Sequence, residues 1–210
     1  GAPLTSVEAM AAWLLALLDA AGAGRALLVG HSMGSLIALE AAHLAPQRVS
    51  GLALLGATYP MRVSDTLLEA ARSEEDAAIE MVAAWSHASW LPGPSTAGPG
   101  ASVINTARRL MQRMSARGAD GLLHTDFAAC NAYANGEAAA ASIACPTLFV
   151  QGKKDMMTPP RSAQLLTGVI AHAGVIGVDA GHAMMSEAPD AVLDALLRFA
   201  REAHEVQSKG

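Results

Sequence analysis

Hydrophobic positions along the chain follow two rhythms. RALLV (residues 25–29) and VSGLALL (49–55) are short runs, apolar on both faces. That pattern predicts strands of a parallel sheet covered by helices on each side. PTLFVQ (146–151) and GVIGV (174–178) are two further strand candidates. Longer stretches with helical spacing occupy residues 6–21, 35–45, 65–88, 101–117, 122–135, 160–169 and 186–204. Thr5-Ser6-Val7-Glu8 reads as a capping box that opens the first helix, and Gly22 and Gly24 close it. Pro46 stops the helix at 35–45, and Pro160 suits the start of the one at 160–169. Strand, helix, strand in that order makes a βαβ unit, so the expected class is α/β with four parallel strands.

No strand pattern occurs between residues 57 and 144, where helical stretches are interrupted by LPGPSTAGPG (91–100). That segment reads as a loop and as the best candidate for a mobile element. The expected organisation is a core from residues 1–56 and 136–210. A helical cap insertion would occupy 57–135 and include the last core helix before the strand at 145–151.

Composition narrows the class. With 210 residues the chain suits one domain with a real core. A hydrophobic share of 52% and a mean hydropathy of +0.30 exclude a disordered segment. The longest apolar run, AMAAWLLALL (9–18), is too short to span a bilayer and lacks the basic flank of a secretion signal. The net charge is −5 and the fourteen Lys and Arg are scattered, which argues against nucleic-acid binding. Cys130 and Cys145 sit in no CxxC or Cys/His cluster, so no metal is expected, nor a cofactor; a reduced, cytoplasmic protein is.

The chemistry begins at VGHSMGS (29–35). G-x-S-x-G alone is unspecific, but this one follows a strand and opens a helix, the setting of a nucleophile elbow. Ser32 would stand at the apex with its hydroxyl exposed. A serine hydroxyl needs a base, and DAGHAMM (179–185) places His182 just beyond the last strand. His31 lies inside the elbow and should point away from the serine. His43 and His204 fall in helices, and His87, His124 and His172 follow no strand. QGKKDMMTPP (151–160) places Asp155 after the third strand, where it can hold the histidine tautomer. Asp179, three residues before His182, suits a loop-shaping role. Met156, Met157, Met184 and Met185 read as packing around these loops, and Trp85 and Trp90 as packing between cap and core, with the lining of an acyl pocket as the alternative.

VGHSMGS, PTLFVQGKKDMMTPP and DAGHAMMSEAPDAVLDALLRFA, in that order, resemble the α/β-hydrolase superfamily. The resemblance covers residues 24–55 and 145–200 well and the helical insertion less well; FAACNAY (127–133) is similar to the last helix before the penultimate strand. It implies a three-layer sandwich, Ser32 as nucleophile, His182 as general base and acid, and Asp155 as the orienting acid. The Met33 N–H would be one oxyanion donor. The implied activity is hydrolysis of small carboxylic esters through an acyl-enzyme. A cofactor-free perhydrolase or a C–C hydrolase would share the triad.

Members of that superfamily carry several strands before the elbow and a loop that supplies a second oxyanion N–H. Here the chain opens Gly1-Ala2-Pro3 and a single helix precedes the elbow strand. Two expectations follow. The strand from Arg25 to Val29 would be an apolar sheet edge, covered by a homodimer or swapped oligomer. The oxyanion hole would lack a donor in cis, so a truncated, non-catalytic fragment that binds its missing half is the reading from another class.

Overall fold

A computed structural model describes residues 2–88 and 102–208. The expectations for residues 91–100 and Trp90 lie outside that range. Four strands form one parallel sheet in the order β1-β2-β3-β4: β1 (Ala26–His31), β2 (Val49–Leu55), β3 (Thr147–Gly152) and β4 (Gly174–Val178). The two central strands are almost wholly buried, and the two edge strands carry exposed positions. Val29 on edge strand β1 is half exposed, so the apolar run at 25–29 is not covered on both faces.

The layers on either side follow from where the apolar side chains go. On one face α1 (Val7–Ala20), α2 (Met33–Leu44), α7 (Gly136–Ala141) and α8 (Gln164–Val169) close over Leu39, Leu52, Leu54 and Phe149. On the other, α10 (Pro189–Ser208) covers Ala53, Leu55 and Val150 with Val192, Ala195 and Phe199. Alternate residues of β2 therefore face opposite helix layers. Each fully buried Leu or Phe contributes about 1.5–3 kcal/mol, so the sheet centre is the firm base for whatever its strand ends carry.

Among the described residues, four helices precede α7 between β2 and β3: α3 (Asp65–Ser73), α4 (Glu75–Trp85), α5 (Val103–Ser115) and α6 (Leu122–Ala132). Leu67, Ala71 and Ala78 form a small core of their own there.

Several boundaries differ from the sequence reading, each for a local reason. The helix after the elbow starts at Met33, not at residue 35, because β1 runs on to His31 and Ser32 alone makes the turn. Ser6 does cap α1, its hydroxyl accepting from the Ala9 N–H. The stretch 65–88 breaks at Glu74 (φ −144°), where the Ser73 hydroxyl turns back on the Glu69 carbonyl. The stretch 122–135 ends at Ala132, and GEAAAA then forms α7 as a separate helix before β3. Pro189 divides the last helix into α9 (Met184–Glu187) and α10, since it has no N–H to continue the ladder.

Candidate active site

Every residue singled out for chemistry emerges at the C-terminal edge of the sheet, the end where open α/β sheets bind ligands. Ser32 follows β1 and has φ 53° and ψ −122°. Among the described residues it is the one non-glycine with positive φ. A backbone held in that region stores strain and lifts the side chain out of the turn. Gly30 makes the turn possible: a Cβ there would lie 2.1 Å from the Gly34 carbonyl oxygen. Gly34 itself has open space at that position, so only the first glycine of the motif is required by packing. The turn is fastened by the Ser32 N–H donating to Leu55 O at 2.9 Å, and by the Ser35 N–H to Ser32 O at 2.8 Å.

Asp155 and His182 meet across the ends of β3 and β4. The His182 Nδ1–H donates to Asp155 Oδ2 at 2.8 Å, with both side chains buried. The other carboxylate oxygen, Oδ1, accepts from the N–H groups of Met157 and Thr158 at 2.9 and 2.8 Å. The Thr158 hydroxyl donates to Oδ2 at 2.7 Å, and its oxygen lies 3.0 Å from His182 Nδ1. Burial acts to raise the Asp155 carboxyl. The bond and charge of His182, with the donors of Thr158, outweigh it and hold the group below the usual carboxylate range. Asp155 is therefore an anion whose every partner is fixed.

Gly56, just after β2, floors this cluster with φ +54°; a Cβ there would come within 3.3 Å of the His182 ring and 3.2 Å of Thr158 Oγ1. The His182 loop is pinned from outside as well. Glu187 accepts from the N–H groups of Gly181 and Ala88, and the Ala183 N–H donates to Ser86 O at 2.7 Å. Asp179 stands exposed on the surface, paired with Lys154 at 2.8 Å.

His31 makes a contact that the sequence reading did not name: its ring lies 4.5 Å from that of His182, and its Nε2 donates to the His182 carbonyl at 2.9 Å. Burial and the neighbouring His182 lower its pKa to about 4, against the partial pull of the His182 carbonyl and Asp155. A neutral His31 therefore ties the elbow to the loop that carries His182. Nothing in the local sequence signals this tie, because it joins positions 151 residues apart.

A cavity of about 460 Å³ opens at Ser32 and Met33. It runs beneath α3, α4 and α6 and is walled by Leu67, Trp85, Phe127 and Met157. That volume suits a small organic ligand. Trp85 and Met157 thus face the cavity rather than serving only as packing, whereas Met184 is core. Met33 is the first residue of α2, so its N–H has no acceptor within the helix.

Comparisons with known proteins show the family and the fold. The family described as alpha/beta hydrolase fold matches residues 3–189. The chain belongs to the α/β-hydrolase family. The "Putative carbamate hydrolase RutD" of Klebsiella pneumoniae subsp. pneumoniae is 28% identical over 85% of this chain and 66% of its own length. Its namesake in Pseudomonas savastanoi pv. phaseolicola is also 28% identical, over 85% of this chain and 68% of its own. The chain spans about two thirds of the length of these relatives. Among solved structures, a hydrolase from Pseudomonas aeruginosa superposes with a TM-score of 0.75 at 26% identity, covering 95% of this chain and 73% of that one. A thermophilic esterase from Thermogutta terrifontis superposes with a TM-score of 0.78 at 24% identity, covering 97% and 75%. Among the described residues, no helix is long and apolar enough to cross a membrane.

Proposed function

We propose that this α/β hydrolase cleaves small carboxylic esters through an acyl-enzyme on Ser32, His182 and Asp155. The observation that carries the reading is the buried 2.8 Å bond from His182 Nδ1 to Asp155 Oδ2, set at the same sheet edge as a strained serine that opens onto a cavity. The bond fixes the tautomer. With Nδ1 protonated and engaged, the free nitrogen Nε2 is the base.

Ser32 Oγ attacks the acyl carbon while His182 Nε2 takes its proton. The oxyanion that forms accepts a hydrogen bond from the Met33 N–H, aided by the positive end of α2. Collapse breaks the bond to the alcohol oxygen, which leaves with the proton from His182. Water then attacks the acyl-enzyme with the same histidine as base, and Ser32 is regenerated. Asp155 stays ionised throughout and stabilises the imidazolium.

The test is hydrolysis of short p-nitrophenyl esters by the wild type and by Ser32→Ala, with a fluorophosphonate label mapped by mass spectrometry. Turnover should fall by at least about 10³-fold in the variant, and the label should sit on Ser32. Equal rates, or a label on another serine, overturn the reading. A second reading, carbamate cleavage on the same residues, is favoured by the relatives' name alone. Faster turnover of a p-nitrophenyl carbamate than of the matched ester would select it.

A further inference from the structure

The cavity that opens at Ser32 holds one group out of keeping with its walls. Asp126, on α6, lines it alongside Trp85, Phe127 and Met157. The carboxylate is half-buried, and no hydrogen bond or ion pair satisfies it among the described residues. Burial raises its pKa. Arg62 also lines the cavity but is exposed at its mouth, where water screens it. On its far side Asp126 borders a small void of about 40 Å³ shared with Glu75, a second acid that accepts from Ser115.

A carboxylate removed from water without a partner costs stability, and a native fold keeps such groups paired. A cation on a ligand in this cavity would lie beside Asp126. We propose that Asp126 is a specificity-determining residue and that the preferred ester carries a cationic ammonium group on its acyl arm. Bound, the cation enters beside Asp126 while the ester carbonyl stays at Ser32. Trp85 and Phe127 line the same cavity, and aromatic rings are partners suited to an ammonium ion. An ester with a neutral arm of the same shape leaves the carboxylate unpaired in a drier cavity, and one with an anionic arm meets like charge. The inference rests on the esterase reading for its place in turnover, but its binding part stands apart from catalysis.

The experiment uses matched p-nitrophenyl alkanoates of several chain lengths, ending in trimethylammonium or in the isosteric tert-butyl group. In the wild type kcat/KM for the cationic ester should exceed that for its neutral isostere by about tenfold at the best length, mainly through KM. In Asp126→Asn the ratio of the two should fall to near one, while Asp126→Glu keeps a preference. The ratio is taken within each variant, so a general loss of activity cancels. A wild-type ratio of one, or an unchanged ratio in Asp126→Asn, overturns the proposal. Calorimetry on Ser32→Ala with the corresponding N-methyl amides separates the two readings. If no ester is turned over but the cationic amide binds about tenfold tighter than the neutral one, the esterase reading fails and the ammonium site stands. Equal binding overturns the site whatever the turnover.

Discussion

Two regions of the molecule meet at Ser32 and are built on opposite principles. The loops after β3 and β4 are a closed polar network: Asp155 receives the donors of His182, Met157 and Thr158, with Gly56 pressed beneath. The helices α3, α4 and α6 leave a cavity of about 460 Å³ whose lining includes a carboxylate, Asp126, with no hydrogen bond or ion pair among the described residues. The first region leaves no slack, so a small change there should cost rate out of proportion to its size. The second has slack, so changes there should redistribute preference among substrates.

The sharpest break in that comparison is Asp155→Asn. The amide keeps the shape but can offer an N–H to His182 Nδ1, which turns the ring to the tautomer with its proton on Nε2. We expect kcat for a p-nitrophenyl ester to fall by about 10⁴-fold with KM within a few-fold. A loss in KM alone would show that the aspartate serves binding.

Acid stability separates the two regions next. His31 is neutral in the fold with a pKa of about 4, against 6.5 when exposed. Between those values the unfolded chain takes up a proton that the folded chain refuses. Stability tied to His31 is therefore full above about pH 6.5 and is lost as pH falls toward 4, by about 3 kcal/mol in all. His31→Gln keeps a donor for the His182 carbonyl but does not titrate. Urea unfolding at pH 7 and pH 4.5 should show a smaller drop in this variant than in the wild type. Equal drops would place the acid sensitivity elsewhere.

Gly56→Ala tests the floor of the network. Its methyl needs a backbone at φ +54° and the space beside the His182 ring and Thr158. We expect about 1–2 kcal/mol of lost stability and a fall in kcat of about tenfold or more, as His182 is displaced from its line to Asp155. Unchanged kinetics would mean that the loops yield more than their bonding suggests.

The same contrast decides what could be read from the chain. Four strands were legible because runs such as VSGLALL and PTLFVQ are apolar and short, and β2 and β3 are indeed the buried centre. The positions of Ser32, Asp155 and His182 just beyond β1, β3 and β4 were legible because a strand end is a local pattern. The tie made by His31 was hidden for the opposite reason: it joins a carbonyl 151 residues away. The break at Glu74 and the separate α7 were also hidden, since Ala- and Glu-rich stretches keep helical spacing through both. Asp126 and Trp85 could not be told from the charged and apolar faces of any amphipathic helix until α3, α4 and α6 were packed together.

That leaves the smallest expected effect, and the one that speaks most directly to the slack region. Trp85 forms a wall of the cavity, yet the ring is 41% exposed and none of its polar atoms takes part in the catalytic network. Trp85→Ala therefore enlarges the cavity without touching Asp155, Thr158 or His182. A longer acyl chain gains room, and a short one loses contact. Each methylene that a pocket accepts or refuses shifts discrimination by about 1–3 kcal/mol. Over a series of p-nitrophenyl alkanoates from acetate to octanoate, the chain length with the highest kcat/KM should move upward by one or two carbons. The change should lie mainly in KM. If kcat instead fell equally for every chain length, the two regions would be mechanically coupled, and the helices would be part of the catalytic frame rather than a wall placed upon it.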